Sequence, residues 1–207
     1  MKEVLSAQQS AIEASDVLQR LGLEADGYFL VSAHREENVD DPARLAALLD
    51  CLEAVVDEHH LPVLMSTHPR TRARLESSGR DVVGVTFHKP LGFHDYNQLQ
   101  VKARCVLSDS GTIAEESSVL GFPAVTLRDS IERPEALDTG SIIMTGLSPR
   151  NVLEAIGCVS GPGRSGGSDV PADYSVTNFS ERAVRFILST YLRQASWSGI
   201  RQGGLHQ

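Results

Sequence analysis

Apolar and polar positions alternate along this chain in two kinds of block. Short, compact apolar runs are separated by longer stretches in which apolar residues recur at helical spacing. The first kind reads as buried strands and the second as amphipathic helices. The runs are Tyr28-Phe29-Leu30-Val31-Ser32, Pro62-Val63-Leu64-Met65-Ser66, Val82 to Phe87, Arg104-Cys105-Val106-Leu107-Ser108 and Ala124-Val125-Thr126-Leu127, with Ile142-Ile143-Met144 as a last one. Helical spacing of Ile12, Val17, Leu18 and Leu21 predicts a helix over 6–21 that stops at Gly22. Another opens at Asp40-Asp41-Pro42, an acidic cap with proline in the first turn. Its stripe is Leu45, Leu48, Leu49, Leu52, Val55 and Val56. Further helices are expected over 70–78, 93–102, 111–120 and 149–159.

Strands that alternate with helices imply parallel strands joined by crossovers. The expected fold is therefore α/β: a doubly wound, Rossmann-like parallel sheet over residues 1–160. Residues 160–173 are rich in Gly and Ser, and a linker is assigned to 161–175. Residues 176–207 are expected to hold a C-terminal helix and a frayed tail. Val184, Ile187, Leu188 and Tyr191 share one face of that helix.

Composition narrows the function. The 207 residues carry a formal charge of −8. Such a balance argues against general nucleic-acid binding, which needs a basic face. Cys51, Cys105 and Cys158 are widely spaced and odd in number, and read as buried free thiols of a reducing compartment. The N-terminal residues lack a signal-peptide core, and no apolar run reaches the length of a membrane span. The expectation is a soluble, cytoplasmic protein with no membrane partner. His34, His68, His88 and His94 lack compact ligand spacing, so neither a metal nor another cofactor is assigned. His59 and His60 read as surface residues at a helix end.

In open parallel sheets, ligands bind beyond the carboxyl ends of the strands. Four polar clusters fall there: His34 to Asn38, Thr67 to Arg70, Ser108 to Thr112, and Arg128 to Glu135. Ser110, Gly111 and Thr112 end a strand and open a helix, where free N–H groups would seat a phosphate. Plain helix capping explains the same residues. Glu116, one turn later, is either a solvated acid or an acceptor for ribose hydroxyls. His34 has Arg35 and Glu36 beside it to orient or charge its ring. His68 and Arg70 repeat the theme, although His68-Pro69 also serves to shape a turn. Tyr96 is either core or a stacking surface for a base.

With these residues in place, the chain resembles the C-terminal half of non-hydrolysing UDP-N-acetylglucosamine 2-epimerases. The resemblance rests on VSAHREEN (31–38), STHPRTR (66–72), KPLGFHDYNQL (89–99), LSDSGTIAEESSVLGFPAV (107–125) and RDSIERPEA (128–136), in family order. The wording is most similar to the UDP-N-acetyl-L-fucosamine synthase branch, which acts on a 6-deoxy sugar. The resemblance implies the second domain of a glycosyltransferase-B-like, two-domain architecture. It further implies a UDP-sugar ligand, His34 as the catalytic histidine, and Ser110, Gly111 and Thr112 as the diphosphate turn. Glu116 is implied as the ribose ligand, Tyr96 as the residue flanking uracil, and Arg133 with its neighbour Glu132 as ligand contacts. Arg35, Glu36, His68 and Arg70 are supporting residues. Thr112 stands where the family often has a second glycine, and Leu91 where some members have glutamine.

The implied reaction eliminates UDP across C1–C2 and re-adds it with C2 inverted. It needs a base for the C2 proton and support for the leaving diphosphate. The resemblance places the proton-handling carboxylates in an N-terminal domain that this chain does not carry. The expectation is a half-enzyme that binds UDP weakly and turns over slowly or not at all alone. It acts as a homo-oligomer or with a chain that supplies the other half. Alternatives are a non-catalytic UDP-sugar-binding module, an epimerase of a 6-deoxy UDP-HexNAc, a UDP-sugar glycosyltransferase and a purely structural oligomer-forming domain.

Overall fold

A computed structural model describes residues 1–161 and 170–198. The chain divides into two units, Met1–Ser175 and Val176–Gln207. In the first unit the elements follow in the order α1 (Lys2–Glu13), α2 (Val17–Leu21), β1 (Phe29–Ser32), α3 (Glu36–Val39), α4 (Pro42–His59), β2 (Val63–Ser66), α5 (Pro69–Ser78) and β3 (Val85–His88). The chain continues through α6 (Phe93–Lys102), β4 (Cys105–Ser108), α7 (Ile113–Leu120), β5 (Ala124–Thr126), α8 (Pro134–Asp138), β6 (Ile143–Met144) and α9 (Pro149–Ser160). The second unit holds α10 (Phe179–Thr190) and α11 (Gln194–Trp197). Most of the Gly/Ser-rich stretch, and the tail after Ser198, lie outside the described residues.

The six strands form one parallel sheet in the order β3-β2-β1-β4-β5-β6. This is the doubly wound, Rossmann-like arrangement expected from the alternating blocks. The order reverses between β1 and β4, and that junction is the topological switch point. Each inner strand is covered on both faces, which is why it reads as a continuous apolar run rather than an alternating one. Phe29, Val31, Met65, Leu107 and Val125 face α4, α5 and α9, where Leu48, Leu49, Leu52, Leu75 and Ile156 meet them. Leu30, Leu64, Val106 and Ala124 face the other way, onto Val17, Leu99, Ile113 and Ala136.

Local chemistry fixes the ends. Asp41 caps α4 by accepting from the N–H of Ala43 at 2.8 Å, with Pro42 in the first turn. Several boundaries depart from the sequence reading. The helix expected over 6–21 is two helices: Ser15 Oγ accepts from the Val17 N–H at 3.3 Å and donates to Asp95 at 2.6 Å, breaking the ladder. The third strand starts at Val85, after a turn through Gly84. His59 is not a plain surface residue: its ring lies 4.9 Å from that of Phe29, its Nε2 is buried, and burial lowers its pKa. Cys51 and Cys105 are buried, but Cys158 is exposed because α9 turns Val152, Ala155 and Ile156 inward. Within the assigned linker, Ala172–Tyr174 forms a 3-10 turn whose Tyr174 is buried and donates to Glu135 at 2.9 Å.

Gly84 and Gly22 offer a graded test of backbone geometry. Both have positive φ, 84° and 64°, but a Cβ at Gly84 would meet Val56 Cγ1 at 2.7 Å while one at Gly22 meets nothing within 4 Å. Gly22→Ala should therefore cost about 1 kcal/mol for the left-handed backbone. Gly84→Ala adds a clash and should cost roughly 2–4 kcal/mol. Urea unfolding of the two variants checks the order; equal losses would contradict the packing at Gly84.

Candidate ligand site at the switch point

The carboxyl ends of β1 and β4 lie side by side, with Ser32 in register with Ser108. Between the loops that follow them sits Asp109, fully buried. Its carboxylate accepts from the N–H of His34 at 3.1 Å, from the N–H of Arg35 at 2.9 Å and from the Asn38 amide at 3.1 Å. The His34 Nδ1 lies 3.3 Å away. Asn38 is itself buried, and its oxygen accepts from Arg44 at 2.8 Å. A buried carboxylate needs such donors to offset its desolvation. The acid of the third cluster thus fixes the backbone of the first.

The residues singled out in the sequence gather around this anchor in two groups. His34, Glu36, His68 and Arg70 line a cavity of about 350 Å³ with Ser32, Ser66 and Pro90. His34 is half exposed there. A carboxylate beside Nδ1 favours the tautomer protonated on that nitrogen and leaves Nε2 as the basic one. Arg70 pairs with both Glu36 and Asp40. His68 caps α5, its Nδ1 accepting from the Arg70 N–H at 3.4 Å, so its turn-shaping role is real although it also lines the cavity.

The second group surrounds the turn from β4 into α7. Arg35 lies over this turn: a Cβ placed on Gly111 would be 3.8 Å from its Nη2. Arg35 also approaches Glu132 at 3.9 Å. Glu132 is held in both oxygens by the buried Arg128, at 2.6 and 2.5 Å. The hydrogen bonds from Arg128 bring the Glu132 pKa down to about 2. Arg133 forms an ion pair with Glu115 in the first turn of α7. The guanidinium groups of Arg35 and Arg133 therefore border the turn, each with an acid beside it.

The free N–H groups expected at Ser110, Gly111 and Thr112 need correction. The Ser110 N–H donates to Ser108 Oγ at 3.1 Å, and the Thr112 N–H to Ser110 Oγ at 3.3 Å. Serine hydroxyls two residues back satisfy both, as they do in tight turns. Gly111 keeps its N–H without a partner among the described residues. Thr112 occupies the N-cap of α7 yet makes no side-chain cap. Its hydroxyl is directed at Glu116 instead, at 2.7 Å. Glu116 also accepts from Gln100 of α6 at 2.8 Å. Tyr96, one turn before Gln100, is half-buried under this group; burial chiefly pushes its phenol up to about 12, against the pull of its hydrogen bond with Ser32.

Sequence reasoning named Asp109, Asn38 and Arg128 only as parts of clusters and passed over Gln100. An acid before a helix reads as a cap, and a polar residue inside a helix reads as solvated. The available signal was position: Asp109 directly follows the strand at which the order reverses.

Strand order and a polar crevice at the switch point define the doubly wound class of nucleotide-binding domains. The family described as UDP-N-acetylglucosamine 2-epimerase matches residues 1–188, and the chain belongs to it. Over 136 residues it is 32% identical to the UDP-N-acetylglucosamine 2-epimerase of Methanocaldococcus jannaschii, a match that covers 63% of this chain and 37% of that protein. It is 33% identical over 130 residues to the UDP-2,3-diacetamido-2,3-dideoxy-D-glucuronate 2-epimerase of Pseudomonas aeruginosa, covering 63% and 36%. The crystal structure of the M. jannaschii UDP-GlcNAc 2-epimerase in complex with UDP-GlcNAc and UDP is similar with a TM-score of 0.80 at 26% identity, over 91% of this chain and 52% of that one. The chain therefore spans about half of that solved chain, and a smaller share of the curated relatives. Among the described residues, no helix is long and apolar enough to cross a membrane, and no group of His, Cys, Asp and Glu is placed to hold a metal ion.

The Tyr96 environment gives a pH test. An unfolded tyrosine titrates near 10. A folded value of about 12 means that the folded state holds the proton more tightly. The contribution is thus fully present below about pH 10 and is lost as pH rises towards 12. Ultraviolet titration of wild type against Tyr96→Phe should show one phenolate fewer above pH 11 in the variant, and no difference near pH 10. A Tyr96 signal titrating at pH 10 would contradict the buried placement.

Proposed function

We propose that this chain is the UDP-binding half of a UDP-N-acetylhexosamine 2-epimerase. The observation that carries the reading is the convergence of four separate segments around the β4–α7 turn, beside the buried Asp109. His34 and Arg35, the Ser110-Gly111-Thr112 turn, Tyr96 with Glu116, and Arg133 meet there from different elements. In this reading the α7 N-terminus and the bordering arginines hold the diphosphate. Glu116 accepts from the ribose, Tyr96 flanks the base, and His34 faces the diphosphate and the sugar.

The acids of the crevice support a holding role over proton abstraction. Asp109 already accepts from three donors, Glu116 from Thr112 and Gln100, Glu115 from Arg133 and Glu132 from Arg128. None stands ready to take a C2 proton. That proton is assigned to carboxylates supplied by another domain or chain. The relatives are named for two different UDP sugars, so the reading commits to the N-acetylhexosamine class, a 6-deoxy member included. No metal or nicotinamide enters it.

UDP binding measured by calorimetry and proton NMR of UDP-GlcNAc in D₂O test this together. Glu116→Ala should weaken UDP at least tenfold, about 1.4 kcal/mol. The chain alone should leave the C2 proton signal unchanged, and adding the complementary half should start its exchange. UDP affinity indifferent to both Glu116→Ala and His34→Ala would sink the proposal. Exchange by the chain alone would show that it carries its own base.

A further inference from the structure

We infer that Gln100 and Thr112 are positioning residues that aim the Glu116 carboxylate at the cis-diol of a ribose, an inference that rests on the UDP reading of this crevice. The two donors come from different elements and take one oxygen each. Thr112 Oγ1, at the mouth of α7, donates to Glu116 Oε1 at 2.7 Å. Gln100 Nε2, from α6, donates to Glu116 Oε2 at 2.8 Å. With both oxygens held, the carboxylate cannot rotate, and each oxygen keeps a further lone pair for an incoming hydroxyl. Two fixed acceptors side by side match two vicinal hydroxyls.

Three observations separate this from ordinary packing. Gln100 is buried, and its Oε1 has no partner in the protein among the described residues. An amide with one end orphaned in a core is unfavourable unless its other end is needed, and leucine would fill the space without that penalty. Thr112 forgoes the usual role of its position: a threonine at an N-cap normally accepts from the first helical turn, yet this one makes no cap and gives its proton to Glu116. The third observation is a link to the anion turn. Ser110 Oγ lies 3.0 Å from Thr112 Oγ1. Because the carboxylate only accepts, Thr112 donates to Glu116 and Ser110 donates to Thr112. One line of hydroxyls thus joins the proposed diphosphate turn to the proposed ribose acceptor.

The arrangement makes ribose recognition dependent on two side chains that act through Glu116. Calorimetric titrations of the chain with UDP and with 2′,3′-dideoxy-UDP test it, in wild type, Gln100→Leu, Thr112→Val and Thr112→Ser. Wild type should prefer UDP by about tenfold or more. Gln100→Leu should lose most of that preference while binding the dideoxy compound as wild type does, and Thr112→Val, at a residue of the proposed diphosphate turn, should weaken UDP several-fold more than it weakens the dideoxy compound. Thr112→Ser, which restores the hydroxyl, should recover the preference. Retained binding of dideoxy-UDP shows that the variants are folded, and Thr112 is half-exposed, so its variant keeps the fold if Gln100→Leu does not. Equal weakening of both ligands, or an unchanged preference in Thr112→Val, overturns the inference but leaves the UDP reading standing. A wild type that binds neither compound overturns both.

Discussion

One buried negative charge organises this domain. Asp109 sits at the junction where the sheet reverses direction, fully removed from solvent. Its carboxylate is tolerated because donors surround it: two backbone N–H groups of the loop after β1 and the Asn38 amide of α3. Removing the donors, or the charge, would leave unpaired groups in a low-dielectric interior, a loss of several kcal/mol. The loop between β1 and α3 therefore has one allowed course, and His34 and Arg35 are placed by it.

The same junction sets the electrostatics of the crevice. Arg35 and Arg133 border the β4–α7 turn, each beside a glutamate, and Arg128 holds Glu132. Thr112 and Gln100 orient Glu116 in the same way. Pre-orientation of this kind lowers the entropy lost when a ligand is bound. It also explains why the acids of the crevice are engaged rather than poised as bases.

Much of this was legible in the chain itself. The apolar runs ending in Ser32, Ser66 and Ser108 gave the inner strands, because a strand buried on both faces has no competing pattern. Edge strands were less clear: β3 begins three residues later than Val82, since a turn through Gly84 looks like strand when only apolarity is counted. The break of the first helix at Ser15 rests on a local bond to the Val17 N–H and on Asp95, far away in sequence, and the second has no local signal. In the site, His34, Arg70 and Glu36 were visible from their positions after strands. Gln100 was not, because a glutamine within a helix is ordinary until its neighbour across the interface is known. The cap-or-phosphate ambiguity at Ser110 to Thr112 resolved into neither simple form: hydroxyls satisfy two of the N–H groups, and the N-cap side chain serves Glu116.

The central claim is that the Asp109 carboxylate both stabilises the domain and forms its ligand crevice. Urea unfolding of wild type and Asp109→Asn, each with and without saturating UDP, tests it most directly. A ligand that binds only the folded state raises the unfolding free energy, so one experiment reads stability and binding. The asparagine keeps the shape but turns an N–H₂ towards groups that donate. The variant should lose roughly 2–4 kcal/mol and should gain no further stability from UDP at concentrations that stabilise wild type. A variant as stable as wild type, and equally stabilised by UDP, would contradict the account.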